Sequence, residues 1–550
     1  MHVYDGDVGT VPFGIQSRFS HLLRNMNSEL VLPRVKLSNS LNVSVVDIED
    51  DALPKKTVDV VSEVRRVFNS HRTRPYSFRL NQLKGLVKFL QVEEEALCDA
   101  LYEDLKKSKF EAVSHEIEFA LKDAKEAVTN LQSWMKPERP RKTAANFFDD
   151  LYIYNDPYGV VLLIAPWNFP VQLLIIPLIG AIAAGNCVVI KPSEIASATA
   201  QVFATLLPKY IDSQCYPVVL GGPEDTTELL QQRFDYIFFT GSPKVGKTVY
   251  QAASKYLTPT TLEMGGKSPV YIDSTADMEL TAKRIMWGKT QNAGQICIAP
   301  DYILCTKKVQ EKFVLHAAKA LQAFYDDKVK SSTDYGRIAS LKHFNRLVDL
   351  LRNQKPAIGG QSDPHNLFIE PTVLVEVSPM DPVMQEEIFG PILPIVNIRN
   401  MDEAIDFIND REKPLALYVF TNDQSVKDAF LERTSSGSVA INDTVLQVVA
   451  DGLPFGGVGN SGIGAYHGKK TFDTFVHKKS VLSKGFFFLP EKIESVRYPP
   501  YTNMKLNVLK ARFRYNHSLP TKYVSHVVMF MLGVLVTIAV YYIILLFNEN

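Results

Sequence analysis

The 550-residue chain is short of cysteine and of net charge, and it has no apolar run near its N-terminus. Its five cysteines are scattered, odd in number and without a CxxC pair, which argues against a disulfide framework and a zinc knuckle. We therefore expect a reducing, cytosolic setting and no metal. Basic and acidic residues balance at 60 each, so composition gives no sign of a nucleic-acid partner. Residues 1–30 have no apolar stretch behind basic residues, and hence no visible signal peptide.

With 550 residues the chain is too long for one ordinary core, so we expect two or three domains in its soluble part. Residues 1–56 have mixed composition, and we assign this N-terminal extension no role. Residues 57–135 show helical periodicity. Short apolar strands then alternate with helices, which predicts an α/β fold with a parallel sheet covered on both faces and ligands at the strands' C-terminal ends. The predicted strands are 151–155, 160–165, 187–190, 217–220, 236–240 and 368–374, with a helix at 171–184.

The C-terminal region carries the longest uncharged apolar run. Val527 to Phe547 is about 21 residues, which as a helix would cross a hydrocarbon core of roughly 30 Å. A buried core helix is the alternative, but the run is apolar on every face and follows Lys510, Arg512 and Lys522. The sequence therefore predicts a transmembrane tail anchor at 524–547, a lipid partner and a cytosolic catalytic part. The membrane stays open among endoplasmic reticulum, outer mitochondrial membrane, endosome and lipid droplet.

Cys297 is ambiguous when it is considered alone, because a free cysteine is more often a small buried hydrophobe than a nucleophile. Its neighbours in sequence change that interpretation. Leu262 to Pro269, Gly294 to Pro300, Pro166-Trp-Asn168 and Glu386 to Pro391 resemble, in order and spacing, the aldehyde dehydrogenase superfamily. The stretch around Cys297 is most similar to class 3, which includes membrane-bound fatty aldehyde dehydrogenases. The resemblance runs from about Val58 to the C-terminus.

This resemblance implies a domain organisation. We expect a Rossmann-like NAD-binding domain at 57–262, with a small bridging and oligomerisation arm at about 136–160. A catalytic α/β domain at 263–440 would follow, and 441–490 would return to the NAD-binding domain and the arm. Residues 491–522 would form a substrate-entrance segment, in which Met504, Leu506 and Leu509 could offer an apolar lip. A homodimer is adopted from the resemblance alone.

The resemblance also assigns roles to individual residues. Cys297 is the expected nucleophile, Glu263 the general base and Asn168 the oxyanion donor, together with the backbone N–H of Cys297. A carboxylate at Glu194 would accept bonds from the adenosine ribose and repel a 2′-phosphate, which favours NAD over NADP. The expected coenzyme-binding residues are Trp167, Lys191, Glu194, Gly241, Ser242, Gly246, Glu387 and Phe389.

The segment from Gly241 to Thr248 also matches the phosphate-loop pattern GxxxxGK[ST] after an apolar strand. By itself this pattern favours a nucleotide triphosphatase. The aldehyde dehydrogenase phosphate turn falls on Phe239 to Gly246, and both motifs place a helix N-terminus against phosphate. The surrounding motifs favour the dinucleotide.

We therefore expect NAD-dependent oxidation of long-chain fatty aldehydes to acids through a cysteine thiohemiacetal and thioester. The same chemistry on aromatic or medium-chain aldehydes is an alternative. A second is a CoA-acylating enzyme, although Glu263 argues for water as the nucleophile that resolves the thioester. The third, from another class, is a non-catalytic membrane-anchored scaffold.

Overall fold

The structure is a computed structural model that describes residues 57–143, 146, 149–326, 328–486, 488–514 and 521–548. These residues belong to one unit, which the contact pattern bounds at Lys55 and Asn550. The N-terminal extension at 1–56 lies outside the described residues.

The strands are short, as expected for an α/β chain. They are β1 (Asp150–Pro157), β2 (Val160–Ile164), β3 (Cys187–Lys191), β4 (Tyr236–Gly241), β5 (Thr260–Met264), β6 (Pro269–Ile272), β7 (Tyr302–Cys305), β8 (Lys355–Ile358), β9 (Ser362–Asp363), β10 (Phe368–Ile369), β11 (Thr372–Val375), β12 (Ile392–Asn397), β13 (Ala416–Phe420), β14 (Ser438–Ile441), β15 (Gly462–Ile463) and β16 (Val476–Ser483).

Helices separate most of these strands. They are α1 (Thr57–Asn69), α2 (Tyr76–Val92), α3 (Glu94–Leu105), α4 (Lys109–Glu111), α5 (Glu118–Trp134), α6 (Gln172–Ala184), α7 (Ser197–Leu206), α8 (Pro223–Gln231), α9 (Pro243–Ser254), α10 (Met278–Thr290), α11 (Lys307–Tyr325), α12 (Leu341–Leu351), α13 (Met401–Asn409), α14 (Gln424–Arg433), α15 (Lys469–Thr474), α16 (Phe488–Glu494), α17 (Asn503–Arg514) and α18 (Thr521–Asn548). A π-helix, Ala112–Ile117, joins α4 to α5.

The first large sheet has five strands in the order β15-β5-β4-β2-β3, all parallel except β15. Strands β2 and β3 are buried along their whole length, and α6 beside them is buried on every face. This confirms the predicted strands at 160–165, 187–190 and 236–240 and the predicted helix. The predicted strand at 217–220 is wrong: only a single bridge forms there, from Val218 to Ile190, next to Pro217, which lacks an N–H.

The second large sheet has seven strands in the order β14-β13-β6-β7-β12-β11-β8. Its interior pairs are parallel, and β8 is antiparallel at the edge. The single strand predicted at 368–374 is divided into β10, which pairs with β9, and β11, which joins this sheet. The division falls at Pro371, whose missing N–H interrupts a ladder. A separate two-stranded ribbon pairs β1 with β16.

The C-terminal region ends in two helices, α17 and α18. Helix α17 exposes Met504 and Leu506, while Leu509 is half-buried. Among the residues that the structure describes, no helix combines the length and the apolar character needed to cross a membrane. The predicted transmembrane anchor at 524–547 is therefore not supported, although a helix does form there.

Candidate active site

One cleft of about 1300 Å³ brings together residues from the ends of both large sheets. It is lined by all the site residues that the sequence analysis proposes except Gly246. Those lining it are Trp167, Asn168, Lys191, Glu194, Gly241, Ser242, Glu263, Cys297, Glu387 and Phe389. The first sheet contributes residues at the C-terminal ends of β2 to β5, where ligands of parallel sheets bind. Cys297, Glu387 and Phe389 instead lie before β7 and β12 of the second sheet.

Cys297 follows a tight turn rather than a regular element. The turn at Gln291–Gly294 holds Asn292 and Ala293 in the left-handed region, at φ of 47° and 52°. Gly294 has φ of 75°, and a Cβ there would lie 2.4 Å from the carbonyl oxygen of Gly390, so only glycine fits. Burial raises the pKa of the half-buried Cys297 thiol, and the charges of Glu387 and Glu263 raise it further. The resting thiol therefore stays protonated and needs a base to act as a nucleophile.

Glu263 is the best candidate for the base that Cys297 needs. It lies on β5, is 3% exposed and lines the cleft. Neither carboxyl oxygen has a hydrogen-bond partner among the described residues. Burial raises the pKa of Glu263 well above its ordinary value. A buried carboxyl without a partner inside the protein is unusual, and facing a cleft it is suited to bind and deprotonate a small polar group such as water.

Asn168 lies in the loop between β2 and α6 and is buried. Its side-chain Nδ2 donates to the carbonyl oxygen of Gln295 at 3.1 Å, two residues before Cys297. Its own backbone carbonyl accepts a bond from Asn292 Nδ2 at 2.9 Å. A primary amide has two N–H groups, so the side chain that is fixed by Gln295 still has a donor for an oxyanion near the thiol.

One end of the cleft contains Lys191, at the end of β3, and Glu194. Lys191 is 1% exposed, its Nζ donates to the carbonyl oxygen of Pro192 at 2.7 Å, and burial lowers its pKa. The Glu194 carboxylate lies 3.9 Å from that Nζ, and its side chain is 44% exposed. A carboxylate held by one lysine and open to the cleft is available to the hydroxyls of a ribose.

The glycine-rich turn after β4 does not form the cradle of a phosphate loop. Helix α9 begins at Pro243, which has no N–H, and the side chain of Ser242 caps it by accepting from the N–H of Val245. The N–H of Gly246 already donates to the carbonyl of Ser242 at 2.9 Å. Gly246 instead packs against Met264, whose Sδ would be 2.3 Å from an added Cβ. This geometry does not support the triphosphatase alternative. The N-terminus of α9 is still available to a phosphate group.

Glu387 and Phe389 form the other end of the cleft. Burial raises the pKa of Glu387 to about 8, with Asp301 adding to it and the N–H of Gly266 opposing it. A Cβ on Gly265 would lie 2.2 Å from Glu387 Oε1, so the glycine leaves room for this carboxylate. Phe389 has φ of 50°, a strained value for an aromatic residue, and its ring meets that of Trp167 edge-on at 5.4 Å.

Three aromatic or histidine residues near these groups escaped the sequence analysis. Tyr466 is fully buried, and its pKa is raised first by burial and then by the charges of Glu263 and Cys297. His467 stacks on Phe119 at 5.5 Å, and His343 stacks on Trp167 at 4.9 Å. No motif marks these residues, since each is brought in by a helix or turn distant in sequence.

Comparison with known proteins gives a consistent result. The sequence profile of the aldehyde dehydrogenase family matches residues 42–481. Human aldehyde dehydrogenase family 3 member B1 is 50% identical over 453 residues, 82% of this chain and 96% of its own. The rat protein named aldehyde dehydrogenase, dimeric NADP-preferring, is 48% identical over 442 residues, 80% of this chain and 97% of its own. A substrate-bound Staphylococcus aureus AldH structure superposes with a TM-score of 0.81 at 46% identity, covering 83% of this chain and 99% of its own.

Proposed function

The chain belongs to the aldehyde dehydrogenase family and is an NAD(P)-dependent aldehyde-oxidising enzyme, and we propose that Cys297, Glu263 and Asn168 carry out its chemistry. The observation that supports these roles most strongly is the unpartnered, buried carboxyl of Glu263 in the same cleft as the Cys297 thiol. A nucleophile and a base that line the same cleft are what acyl transfer through a thioester requires.

The first step forms a bond between Cys297 Sγ and the aldehyde carbon. The thiol proton leaves to a base, for which Glu263 is available, and the carbonyl oxygen becomes an oxyanion. Asn168 Nδ2 and the backbone N–H of Cys297 donate to that oxygen in the resulting thiohemiacetal. Because these donors are fixed beforehand and shielded from bulk water, they stabilise the developing charge without reorganisation.

A bound NAD(P) coenzyme would supply the hydride acceptor, and loss of hydride from this carbon would leave Cys297 as a thioester. The cleft fits a dinucleotide at both ends: Lys191 and Glu194 would contact the adenosine ribose, and Glu387 would contact the nicotinamide ribose. Gly265 leaves the space that this carboxylate occupies.

The second step releases the acid. Glu263 takes a proton from a water molecule, whose oxygen attacks the thioester carbon, and the C–S bond breaks to return the Cys297 thiolate. Burial favours the protonated form of Glu263, so we expect this step to slow as pH falls through the pKa of Glu263 in the enzyme.

Replacing Cys297 tests the assignment directly. Cys297→Ala should abolish aldehyde-dependent NADH formation and leave coenzyme binding intact, as followed by the quenching of tryptophan fluorescence. Cys305→Ala is the matched control, because Cys305 is buried in β7 away from the cleft. This variant enzyme should keep its activity. Activity in the Cys297 variant would overturn the proposed nucleophile.

We propose long-chain aliphatic aldehydes as the substrate class. The exposed apolar side chains of α17 support this proposal, because Met504 is 79% and Leu506 is 48% exposed in the segment that the resemblance makes the substrate entrance. A chain truncated after Tyr501 should lose most of its discrimination in kcat/KM between hexadecanal and acetaldehyde. An unchanged ratio would remove the entrance role, and a flat profile in the full chain would favour short or aromatic aldehydes.

Three finer expectations belong to this proposal. NAD is the preferred coenzyme because Glu194 would repel a 2′-phosphate, although one relative is named NADP-preferring. The same relative is named dimeric, which supports a homodimer.

The apolar side chains that α18 exposes, such as Phe530 and Leu535, support a lipid partner. Flotation of the full chain with phosphatidylcholine vesicles, compared with a chain ended at Arg514, would test the lipid partner.

A further inference from the structure

A buried ion pair lies behind the cleft and is not part of the chemistry described above. Lys107 Nζ and Glu116 Oε1 are 2.5 Å apart, and both side chains are completely buried. Burying two charges costs several kcal/mol each before their attraction offsets it, so such a pair is weak evidence for stability. What the two side chains hold in place is therefore the more informative question.

The local fold turns both side chains inward. Lys106, at φ of 52°, ends α3 in the left-handed conformation and directs the chain so that Lys107 enters the interior. Ser108 then caps α4 by accepting from the N–H of Glu111. Glu116 lies in the π-helix that follows, whose wider turn shifts the faces of the helix relative to a regular α-helix.

The pair holds the segment that begins at Asn168. Lys107 Nζ donates to the backbone carbonyl of Asn168 at 3.0 Å and lies 4.1 Å from the centre of the Phe169 ring. Glu116 Oε2 accepts from the N–H groups of Val171 at 2.8 Å and Gln172 at 3.2 Å. These N–H groups open α6, where a carboxylate also complements the helix dipole. One ion pair thus fixes both ends of a five-residue segment.

We propose that Lys107 and Glu116 are positioning residues for Asn168, and this inference rests on its proposed role as oxyanion donor. Lys107 holds the backbone of Asn168 from one side, and Gln295 holds its amide from the other at 3.1 Å. The oxyanion donor is thereby fixed relative to the turn that carries Cys297. A displacement of about 1 Å at such a donor lowers a rate about 100-fold.

Three variants separate positioning from simple stability. Lys107→Met and Glu116→Gln each leave the other member of the pair as a buried charge without its counter-ion. Each single variant should therefore have a lower unfolding midpoint. The double variant removes both charges and should recover most of that midpoint. The rate of NADH formation in the first turnover should fall about 10- to 100-fold in Lys107→Met and in the double variant, with the Kd for NAD within twofold of the parent. A double variant with the parent's first-turnover rate would overturn the inference.

Arg79→Met is the matched control for stability. Arg79 is a buried cation that donates to the carbonyl of Thr73 and to the carbonyls of Ala183 and Ala184 at the opposite end of α6. Its variant should lose stability but keep the first-turnover rate. A rate loss in Lys107→Met no larger than that in Arg79→Met would also contradict positioning.

Asn168→Ala distinguishes this inference from the proposed function. If that variant keeps the parent's rate, the oxyanion role of Asn168 fails, and the inference fails with it. If it is slow while the double variant of the pair is not, only the positioning inference fails. In the Asn168→Ala background, Lys107→Met should add less than a threefold further loss, because the donor that it positions is already absent.

Discussion

Replacing Glu111 by glutamine should change how the stability of the enzyme depends on pH. Glu111 is buried, and burial raises its pKa from 4.5 to about 7, while Lys107 and the N–H of Asn292 partly oppose that rise. Its folded pKa lies above its unfolded pKa, so the folded protein prefers the protonated form. The associated stability is present below pH 4.5 and is lost as pH rises through 7.

The size of this effect follows from the two pKa values. A gap of about 2.5 between them corresponds to about 3 kcal/mol. Glu111→Gln stays neutral and keeps an oxygen that can accept from the N–H of Asn292, which now bonds to both carboxyl oxygens at 3.2 and 3.4 Å. We therefore expect the variant to match the parent near pH 4.5 and to be more stable by up to about 3 kcal/mol at pH 8.

Denaturant unfolding of both proteins at several pH values between 4.5 and 8 measures this difference. Glu103→Gln serves as the control, because Glu103 is exposed on α3 and should leave the pH dependence as it is in the parent. If Glu111→Gln and the parent lose stability in parallel as pH rises, then Glu111 is not protonated in the folded enzyme, and the reasoning from burial is refuted.

Three further predictions follow from the cleft. Asn168→Ala should lower kcat/KM for aldehydes by about 10²- to 10³-fold, and a loss below tenfold in steady-state assays would exclude it as the main donor. Glu194→Gln should raise kcat/KM for NADP relative to NAD, which parallel assays with both coenzymes would show; an unchanged ratio would contradict its role. Gly265→Ala should raise the KM for NAD with an unchanged unfolding midpoint, since a Cβ would lie 2.2 Å from Glu387 Oε1, and a parental KM would contradict this.

Local sequence patterns were sufficient for the elements that build the first sheet. The strands at 160–164 and 187–191 and helix Gln172–Ala184 are apolar except for Lys191 and Gln172 at their ends, because they are buried on every face, and that composition is visible in the sequence. Proline explains the errors. Pro217 and Pro371 lie within apolar runs that suggested continuous strands, but neither has the N–H that a central ladder needs.

The sequence motifs identified the site residues that meet in one cleft. They gave no sign of the residues that hold these side chains in place. Lys107 lies 61 positions before Asn168. No sequence pattern predicts that a lysine just after a helix will contact the loop that follows β2. Glu116 depends on a π-helix, and its sequence carries no sign of one. Tyr466 follows β15, which pairs with the strand of Glu263 only because the chain returns to the first sheet. Contacts of this kind are decided by tertiary packing.

The most direct test of the account follows the acyl group on Cys297 when Glu263 can no longer act as a base. Glu263→Gln would be incubated with NAD and a long-chain aldehyde, quenched at intervals, digested and examined by mass spectrometry. The account predicts that the acyl adduct on the peptide that contains Cys297 forms more slowly than in the parent, because the thiol loses its proton to Glu263, and that it decays about 100-fold or more slowly. An adduct on Cys305 instead, or decay at the parent's rate, would contradict it.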